Sequence, residues 1–420
     1  PCNQESILNI LLITQYFWPE NFRINDLTLG LTEKGHQVTV LTGIPNYPEG
    51  RYFPGYGLFS STRQDYNGVE VIRVPLVPRG SGGRMRLALN YVSFALSSSM
   101  LAPFLCRGKY DLIFVYEPSP ITVGLPALML KHWKSVPIMF WVQDLWPESL
   151  IATGAVHSKY LLKMVERFVR FVYRGCDIIL VQSEAFSQPI EKIGVDKKKI
   201  LYFPNSAEEL YQPVTLEPGA PERDQMPGGF RIMFAGNIGA AQDFSTILAA
   251  ANKLRHYPDI HWLILGDGRM RPWVEEKIRE LELMEVVHLL GRHPAESMPR
   301  YFSLAHALLV TLKRDPIFSL TIPAKVQSYL ACGIPGSAAM DGDGARVIAE
   351  AGAGIACPAE SPEGLADAVF SMYRMPEDER KNMGSKGRAY FEKHFERAAL
   401  LDRLGRWMKE LKEETRTCAY

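Results

Sequence analysis

The chain has 420 residues, 47% of them hydrophobic and 22% charged, and its 47 basic against 46 acidic residues leave a net charge of +1. That length exceeds one ordinary core and predicts two domains; near-neutrality removes any global drive toward nucleic acid, and the composition excludes a disordered chain. The six cysteines (Cys2, Cys106, Cys176, Cys332, Cys357 and Cys418) form no CxxC or Cys/His cluster, which argues against a zinc site or disulfide framework and fits a reducing cytoplasm.

In chain order, PCNQES leads into an apolar run too short for a signal peptide's apolar region and cleavage site. Short runs rich in Ile, Val and Leu then recur: ILNILLI, QVTVL, VEVIRV, DLIFVY, VPIMFWV, DIILVQ and KILYF in the first half, and RIMFAG, HWLILG, VVHLLG, ALLVTL, IPGSAAM and GIACP in the second. Such runs read as parallel strands buried on both faces. Helical patterns lie between them at 25–34, 159–173, 246–255, 273–281, 299–305 and 324–332. Strand and helix in alternation predict doubly wound α/β sheets, and two sets predict two Rossmann-like domains.

Residues 87–106, LALNYVSFALSSSMLAPFLC, carry no charge and are long enough to span a bilayer, but Asn90, three serines and Pro103 favour a buried or interfacial helix. The stretch NSAEELYQPVTLEPGAPERDQMPGGF is rich in Pro, Gly and charge and marks a linker at 206–229. The predicted organisation is a domain at 1–205, the linker, a second domain at 230–392, and an amphipathic helical segment at 393–420.

Ligands of open α/β sheets sit beyond the carboxyl ends of the strands, so the residues after each apolar run are the candidates. AGNIG places Gly236, Asn237 and Gly239 in a tight turn before a helix whose free N–H groups would face an anion. LILGDGRM adds Gly266, Asp267 and Arg269, and HLLGRHP adds Gly291, Arg292 and His293; three consecutive glycine turns suit a nucleotide, although ordinary strand ends would look the same. In FSLTIPAKVQSYLACGIP, Ser319 and Thr321 can cap a helix or approach a phosphate, and Lys325 lies in the first turn, aimed at the same anion.

In the first half, FWVQDLWPESL places Asp144 and Glu148 where carboxylates would orient sugar hydroxyls or stabilise developing positive charge, with helix capping by Asp144 as the alternative. Glu20, Asn21 and Arg23 lie in an aromatic, charged loop suited to a polar acceptor, with capping by Asn21 or Asn25 the competing account, and Glu117, after another strand, is a further acceptor-binding candidate. The DxD pair Asp341 and Asp343 sits between glycines and reads as a turn more than a metal site, and HExxH, GxSxG and GxxxxGK[ST] are absent.

ILLITQYFWPE, KGHQVTVLTG, FPN, FAGNIG, LILGDG, LGR and IPAKVQSYLACGIP, in that order, resemble glycosyltransferase family 4 with the GT-B fold, closest in flavour to the WbuB-like sugar transferases of bacterial polysaccharide assembly. The resemblance implies two Rossmann-like domains facing across a cleft, a nucleotide sugar held by the second, a saccharide or lipid-linked saccharide acceptor at the first, and a last helix crossing back. It also implies retention of anomeric configuration, no metal or cofactor, a UDP-sugar donor, Lys325 and the helix after Gly239 meeting the departing diphosphate, and Asp144 orienting the sugar. Two departures stand out: Leu320 and Ser328 occupy positions where many relatives carry two glutamates separated by seven residues, and Gln143 replaces a histidine.

A lipid-linked acceptor would bring the protein to an anionic inner-leaflet surface, and RGSGGRMRLALNYVSF and KYLLKMVERFVRFVYR are basic and amphipathic enough for it, though core-packed helices would also fit. The expectation is a cytoplasmic protein, peripheral on the membrane if attached at all. A nucleotide-sugar 2-epimerase and a nucleotide-sugar-binding protein without turnover remain alternatives; a nicotinamide dehydrogenase has less support, because the turn is GxxG and no acidic residue is placed for a dinucleotide ribose.

Overall fold

The computed structural model describes residues 7–58, 62–80, 83–152, 156 and 158–417. Cys2, Cys418 and the opening PCNQES lie outside the described residues. The chain divides into two compact units, the first comprising Pro1–Pro204 with Leu400–Tyr420 and the second Asn205–Ala399.

Unit 1 runs β1 (Asn9–Ile13), α1 (Arg23–Glu33), β2 (Gln37–Gly43), β3 (Arg63–Tyr66), β4 (Val69–Val74), α2 (Arg84–Leu105), β5 (Leu112–Glu117), α3 (Gly124–Lys134), β6 (Ile138–Val142), α4 (Glu148–Ala152), α5 (Lys159–Gly175), β7 (Ile178–Val181), α6 (Ser187–Lys192) and β8 (Ile200–Tyr202). Its eight strands lie in the order β3-β4-β2-β1-β5-β6-β7-β8, parallel except for β3. Each apolar run predicted as a strand is one. β5 and β6 are buried throughout, as expected of strands covered on both faces.

The edge strand β3 was not predicted, because RQDY is polar and only alternately covered. The signal was the Asn67–Gly68 pair that follows. Both residues have positive φ and form the two-residue turn pairing Tyr66 with Val69, the geometry asparagine and glycine adopt most readily.

Unit 2 runs β9 (Phe230–Ala235), α7 (Phe244–Lys253), β10 (Ile260–Leu265), α8 (Arg271–Glu280), β11 (Val287–Gly291), α9 (Met298–Phe302), β12 (Ala307–Thr311), α10 (Pro316–Leu320), α11 (Ala324–Cys332), β13 (Gly336–Ala339), α12 (Asp343–Glu350), β14 (Gly354–Cys357), α13 (Pro362–Arg374) and α14 (Glu377–His394). Its six strands are all parallel, in the order β11-β10-β9-β12-β13-β14. Residues 206–229 do not hang free: Leu216 and Ala220 are buried against Leu304, and Glu222 forms a two-pronged ion pair with Arg300.

The last helix, α15 (Arg397–Thr417), buries Leu400, Leu404, Met408 and Leu411 in the unit 1 core that also holds Leu27 and Leu31 of α1. It is tied at its far end by an ion pair of 2.7 Å between Lys412 and Asp111. Both units therefore present the carboxyl ends of parallel strands as the place where irregular backbone collects.

Candidate active site

Three loops at the strand ends of unit 2 are bound to one another through their backbones. The Gly236 amide donates to the Leu265 carbonyl at 2.8 Å, Ile238 to Asp267 at 2.8 Å, and Gly266 to Gly291 at 2.7 Å. Gly236 and Gly266 take φ of +135° and +145°, a region essentially reserved for glycine. Between the loops lies a cavity of about 640 Å³ lined by Gly236, Asn237, Gly266, Asp267, Arg292 and His293, with Met298 contributed by α9. The His293 Nε2 donates to the Leu290 carbonyl at 3.0 Å and Nδ1 faces the Tyr301 hydroxyl at 3.0 Å, which holds the ring in place. Met298 was not foreseen; an isolated methionine at the first position of a short helix carries no sequence signal.

Lys325 stands on the second residue of α11, its Nζ 3.7 Å from the centre of the Phe234 ring. A β-carbon on Gly236 would lie 2.7 Å from its Cε and 2.9 Å from its Nζ, so the glycine is what lets the lysine lie against the first loop. Among the described residues no carboxylate pairs with this ammonium, and burial lowers its pKa to about 7. Pro323 at the start of α11 offers no side-chain acceptor; the Val326 amide bonds back to the Pro323 carbonyl at 2.9 Å, and those of Ala324 and Lys325 are left for another acceptor. A desolvated cation, helix-start amides and glycine backbone are the kind of groups that suit an anion.

Several expected parts are arranged differently. The helix after Gly239 does not begin there: a 3₁₀ turn, Ala240–Gln242, intervenes, and α7 starts at Phe244 behind the buried Asp243, whose carboxylate accepts from the Ser245 and Thr246 hydroxyls. That N-terminus is already occupied by the Asp243 carboxylate, whereas the start of α11 has no side-chain cap. Ser319 and Thr321 do not cap α11; they belong to α10 and the residue after it, and their hydroxyls donate to the carbonyls of Pro316 and Phe318. Arg269 is exposed and does not line the cavity, while Gly291 contributes its carbonyl as a brace. Leu320 ends α10, and the Ser328 hydroxyl donates to the Ala324 carbonyl at 3.1 Å. Asp341 and Asp343 serve as structural anchors, accepting from the Ala359 amide and the Arg346 guanidinium.

In unit 1, Glu20 is buried, and its carboxylate accepts the amides of Phe17, Asn46 and Tyr47 at 3.2, 2.7 and 2.7 Å. Burial pushes its pKa to about 7 despite those amides. It clamps the β1 loop to the β2 loop, so its assignment to acceptor binding is corrected: its oxygens are spent on backbone. Asn21 and Arg23 are exposed at the start of α1, whose N-cap is Phe22, and Asn25 instead pins the loop by accepting from the Trp18 amide.

Glu117 is likewise no surface group. It is completely buried at the end of β5, and its carboxylate meets only the Asp144 backbone amide, without a hydrogen bond of ordinary geometry. Burial, then the nearby Asp144, raises its pKa well above the ordinary value, which favours the neutral acid. Asp144 accepts from the Ser149 hydroxyl, bracing the turn into α4, and Glu148 lies in the first turn of that helix. Burial raises both of their pKa values. The Tyr173 hydroxyl and Gln143 Nε2 are also buried without partners, so unit 1 gathers polar groups of unspent capacity beyond β5 and β6.

Replacing Glu117 by glutamine tests the neutral state. A carboxyl with a raised native pKa contributes stability below its unfolded pKa and loses it as pH climbs through the native value. Glu117→Gln is therefore expected to match the parent's melting temperature near pH 5 and to exceed it increasingly toward pH 9, as read by calorimetry across that range.

Residues 21–206 match the family described as Glycosyl transferase 4-like domain, and residues 224–390 match Glycosyl transferases group 1. The chain belongs to glycosyltransferase family 4, and its two parallel-sheet units have the GT-B fold. Among relatives, it is 24% identical over 311 residues to WcaI of Escherichia coli, a glycosyl transferase assigned to colanic acid biosynthesis, covering 72% of this chain and 75% of that one. Among solved structures, it resembles sucrose-phosphate synthase of Thermosynechococcus elongatus at a TM-score of 0.69 and 17% identity, over 96% of this chain and 99% of that one. It also resembles HepE of Anabaena in complex with UDP and glucose, at a TM-score of 0.64 and 14% identity, over 96% and 99%. The chain is thus a transferase acting on nucleotide sugars in polysaccharide or sugar synthesis.

Proposed function

We propose that the chain moves a sugar, with retention of anomeric configuration, from a UDP-sugar to a hydroxyl of a saccharide or lipid-linked saccharide in bacterial polysaccharide synthesis. The observation that carries this reading is Lys325: a buried ammonium with no carboxylate partner among the described residues, lying on the glycine turn of Gly236. The relative HepE holds UDP and glucose on the same fold, which supports uridine as the base.

In the proposed step the acceptor oxygen bonds to the anomeric carbon, the bond from that carbon to the β-phosphate oxygen breaks, and the acceptor proton passes to an oxygen of the departing phosphate. Lys325 and the open amides of α11 meet the charge that develops on the diphosphate, a role filled here by protein groups without assigning a metal or cofactor. Asn237, Arg292 and His293 line the cavity for the rest of the donor, and Asp144 and Glu148 orient the sugar or stabilise its positive character. Asn21 and Arg23 remain the exposed candidates for the acceptor. A nucleotide-sugar donor supports a cytoplasmic location.

Thermal unfolding against a panel of UDP, GDP, dTDP and NAD tests the donor assignment. Ligand at about 100 times its Kd stabilises by about 2.7 kcal/mol. UDP is expected to raise Tm and the others not; a rise with NAD alone, or with none, would set the reading aside. Donor isomerisation without acceptor would instead indicate an epimerase.

A further inference from the structure

The two faces of the unit 1 sheet are covered differently. α1 and α15 close one face with leucines that end in the core. On the other lie α2, α3 and α5, packed side by side, and their outer surface is apolar. Along α2, Met85 (79% exposed), Leu89, Val92, Leu96, Met100 (70%) and Phe104 (61%) are all exposed. Their spacing of three or four residues places them in one stripe along the helix. Trp133 (65% exposed) extends the surface onto α3, and Tyr160, Met164 and Phe171 extend it onto α5. A monomeric soluble protein rarely leaves so large a contiguous apolar surface in water.

By length and composition Met85–Leu105 could cross a membrane, yet only 28% of its most apolar window is buried inside the protein. What prevents crossing is its other side. Asn90 is fully buried, receives the Gln15 amide at 2.7 Å and donates to the Val77 carbonyl at 2.6 Å and to Asn46 at 3.2 Å. The helix is thereby fixed flat along the sheet, presenting one face only.

The charges around this face are mostly cationic, and Glu70 near the end of α2 is paired with Arg63, which donates to the Leu105 carbonyl. α2 and α3 contain no acidic residue, and the single acid of α5, Glu166, is paired with Arg170 at 3.0 Å. Arg86 stands exposed near the start of the stripe, with Lys163 and Arg167 on α5. Beyond the end of α2 is a cavity of about 510 Å³ lined by Arg107, Lys109, Lys134, Lys412 and Arg416. The one carboxylate there, Asp111, is taken up by Lys412 at 2.7 Å and the Asn9 amide at 2.9 Å. Apolar side chains rimmed by cations complement an anionic bilayer, where helices lying in the interface bury one face and basic residues meet phosphates.

We propose that the outer face of α2, α3 and α5 docks on an anionic phospholipid bilayer, with the stripe from Met85 to Phe104 in the acyl boundary and a lipid phosphate in the cavity lined by Arg107 and Lys109. The proposal rests on unit 1 alone and goes beyond the transferase reading without depending on it.

The test is co-sedimentation of the full chain with vesicles of phosphatidylglycerol and phosphatidylcholine, against phosphatidylcholine alone, at low and high salt. Binding to the anionic vesicles is expected to be at least tenfold tighter at low salt and to weaken as salt screens it. Met100→Glu with Phe104→Glu should reduce binding at least tenfold, Arg107→Glu with Lys109→Glu should remove the lipid preference, and Met284→Glu, an exposed methionine of unit 2, should change neither. Quenching of tryptophan fluorescence by brominated acyl chains reads insertion in the unsubstituted protein, so the test survives a variant that does not fold. Absence of binding at low salt, absence of quenching, or binding indifferent to the paired glutamates overturns the proposal. So does a dimer in ultracentrifugation that the paired glutamates dissolve, which would assign the face to a second copy. A rise in Tm with inorganic phosphate, lost in the charge variant and unaccompanied by vesicle binding, would assign the cavity to a soluble phosphate and overturn it too. The UDP-induced rise in Tm, measured on the same variants, reports separately on the donor reading.

Discussion

Lys325→Ala is expected to lower kcat/KM for the nucleotide sugar by about 10²–10³-fold, the scale of losing one preorganised group facing developing negative charge. The ligand-free variant is nevertheless expected to melt higher than the parent. Both effects come from one fact: the ammonium is buried without a carboxylate and its pKa is drawn down from 10.5 to about 7 by desolvation. The unfolded chain binds that proton more tightly, so between about 7 and 10.5 stability rises with pH, and below about 7 the full penalty is present. Lys325→Met removes the penalty, so its Tm advantage should be largest near pH 6 and fade toward pH 10.

Donor binding runs in the opposite direction. The diphosphate prefers the ammonium form, so UDP affinity should fall as pH rises above about 7, by up to about tenfold per unit, while Lys325→Arg, charged throughout, should flatten that slope. Isothermal titration from pH 6 to 9 measures it. A Lys325→Ala variant that keeps parental UDP affinity would mean the lysine is a core side chain whose ring contact with Phe234 is its whole role.

Gly266→Ala should be the most damaging single methyl group in the donor loops. Its φ of +145° is strained for any other residue, and its β-carbon would lie 1.8 Å from the Gly236 carbonyl oxygen. That neighbour is backbone of the very loop on which Lys325 rests, so it cannot step aside alone. A loss of about 3 kcal/mol in chemical denaturation is expected, with UDP binding abolished. Gly219→Ala, where nothing lies within 4 Å of the new carbon, is the control and should stay within about 0.5 kcal/mol of the parent.

How much of this was legible beforehand differs by level. The strand runs were readable because a parallel strand covered on both faces needs continuous apolar residues, and DLIFVY and VPIMFWV have them. β3 was not, because an exposed edge selects against that pattern, although Asn67–Gly68 announced its turn. The glycine turns were found from spacing, whereas the helix assumed to follow Gly239 was displaced by a 3₁₀ turn that pattern does not distinguish.

The sequence by itself determined the class of fold, the strands that build both sheets, and the places where polar residues follow buried runs. It did so because burial and backbone conformation are local demands, met by Ile, Val and Leu in the strands and by glycine at Gly236 and Gly266. Only the tertiary structure decided which of those polar residues face outward. Glu20 is spent on the Asn46 amide 26 residues away, and Glu117 is sealed beneath its neighbours. The stripe of α2 lies bare because Asn90, bonded to Gln15 across 75 residues, turned the other side of the helix inward. Accessibility is set by partners distant along the chain, and no local spacing encodes it.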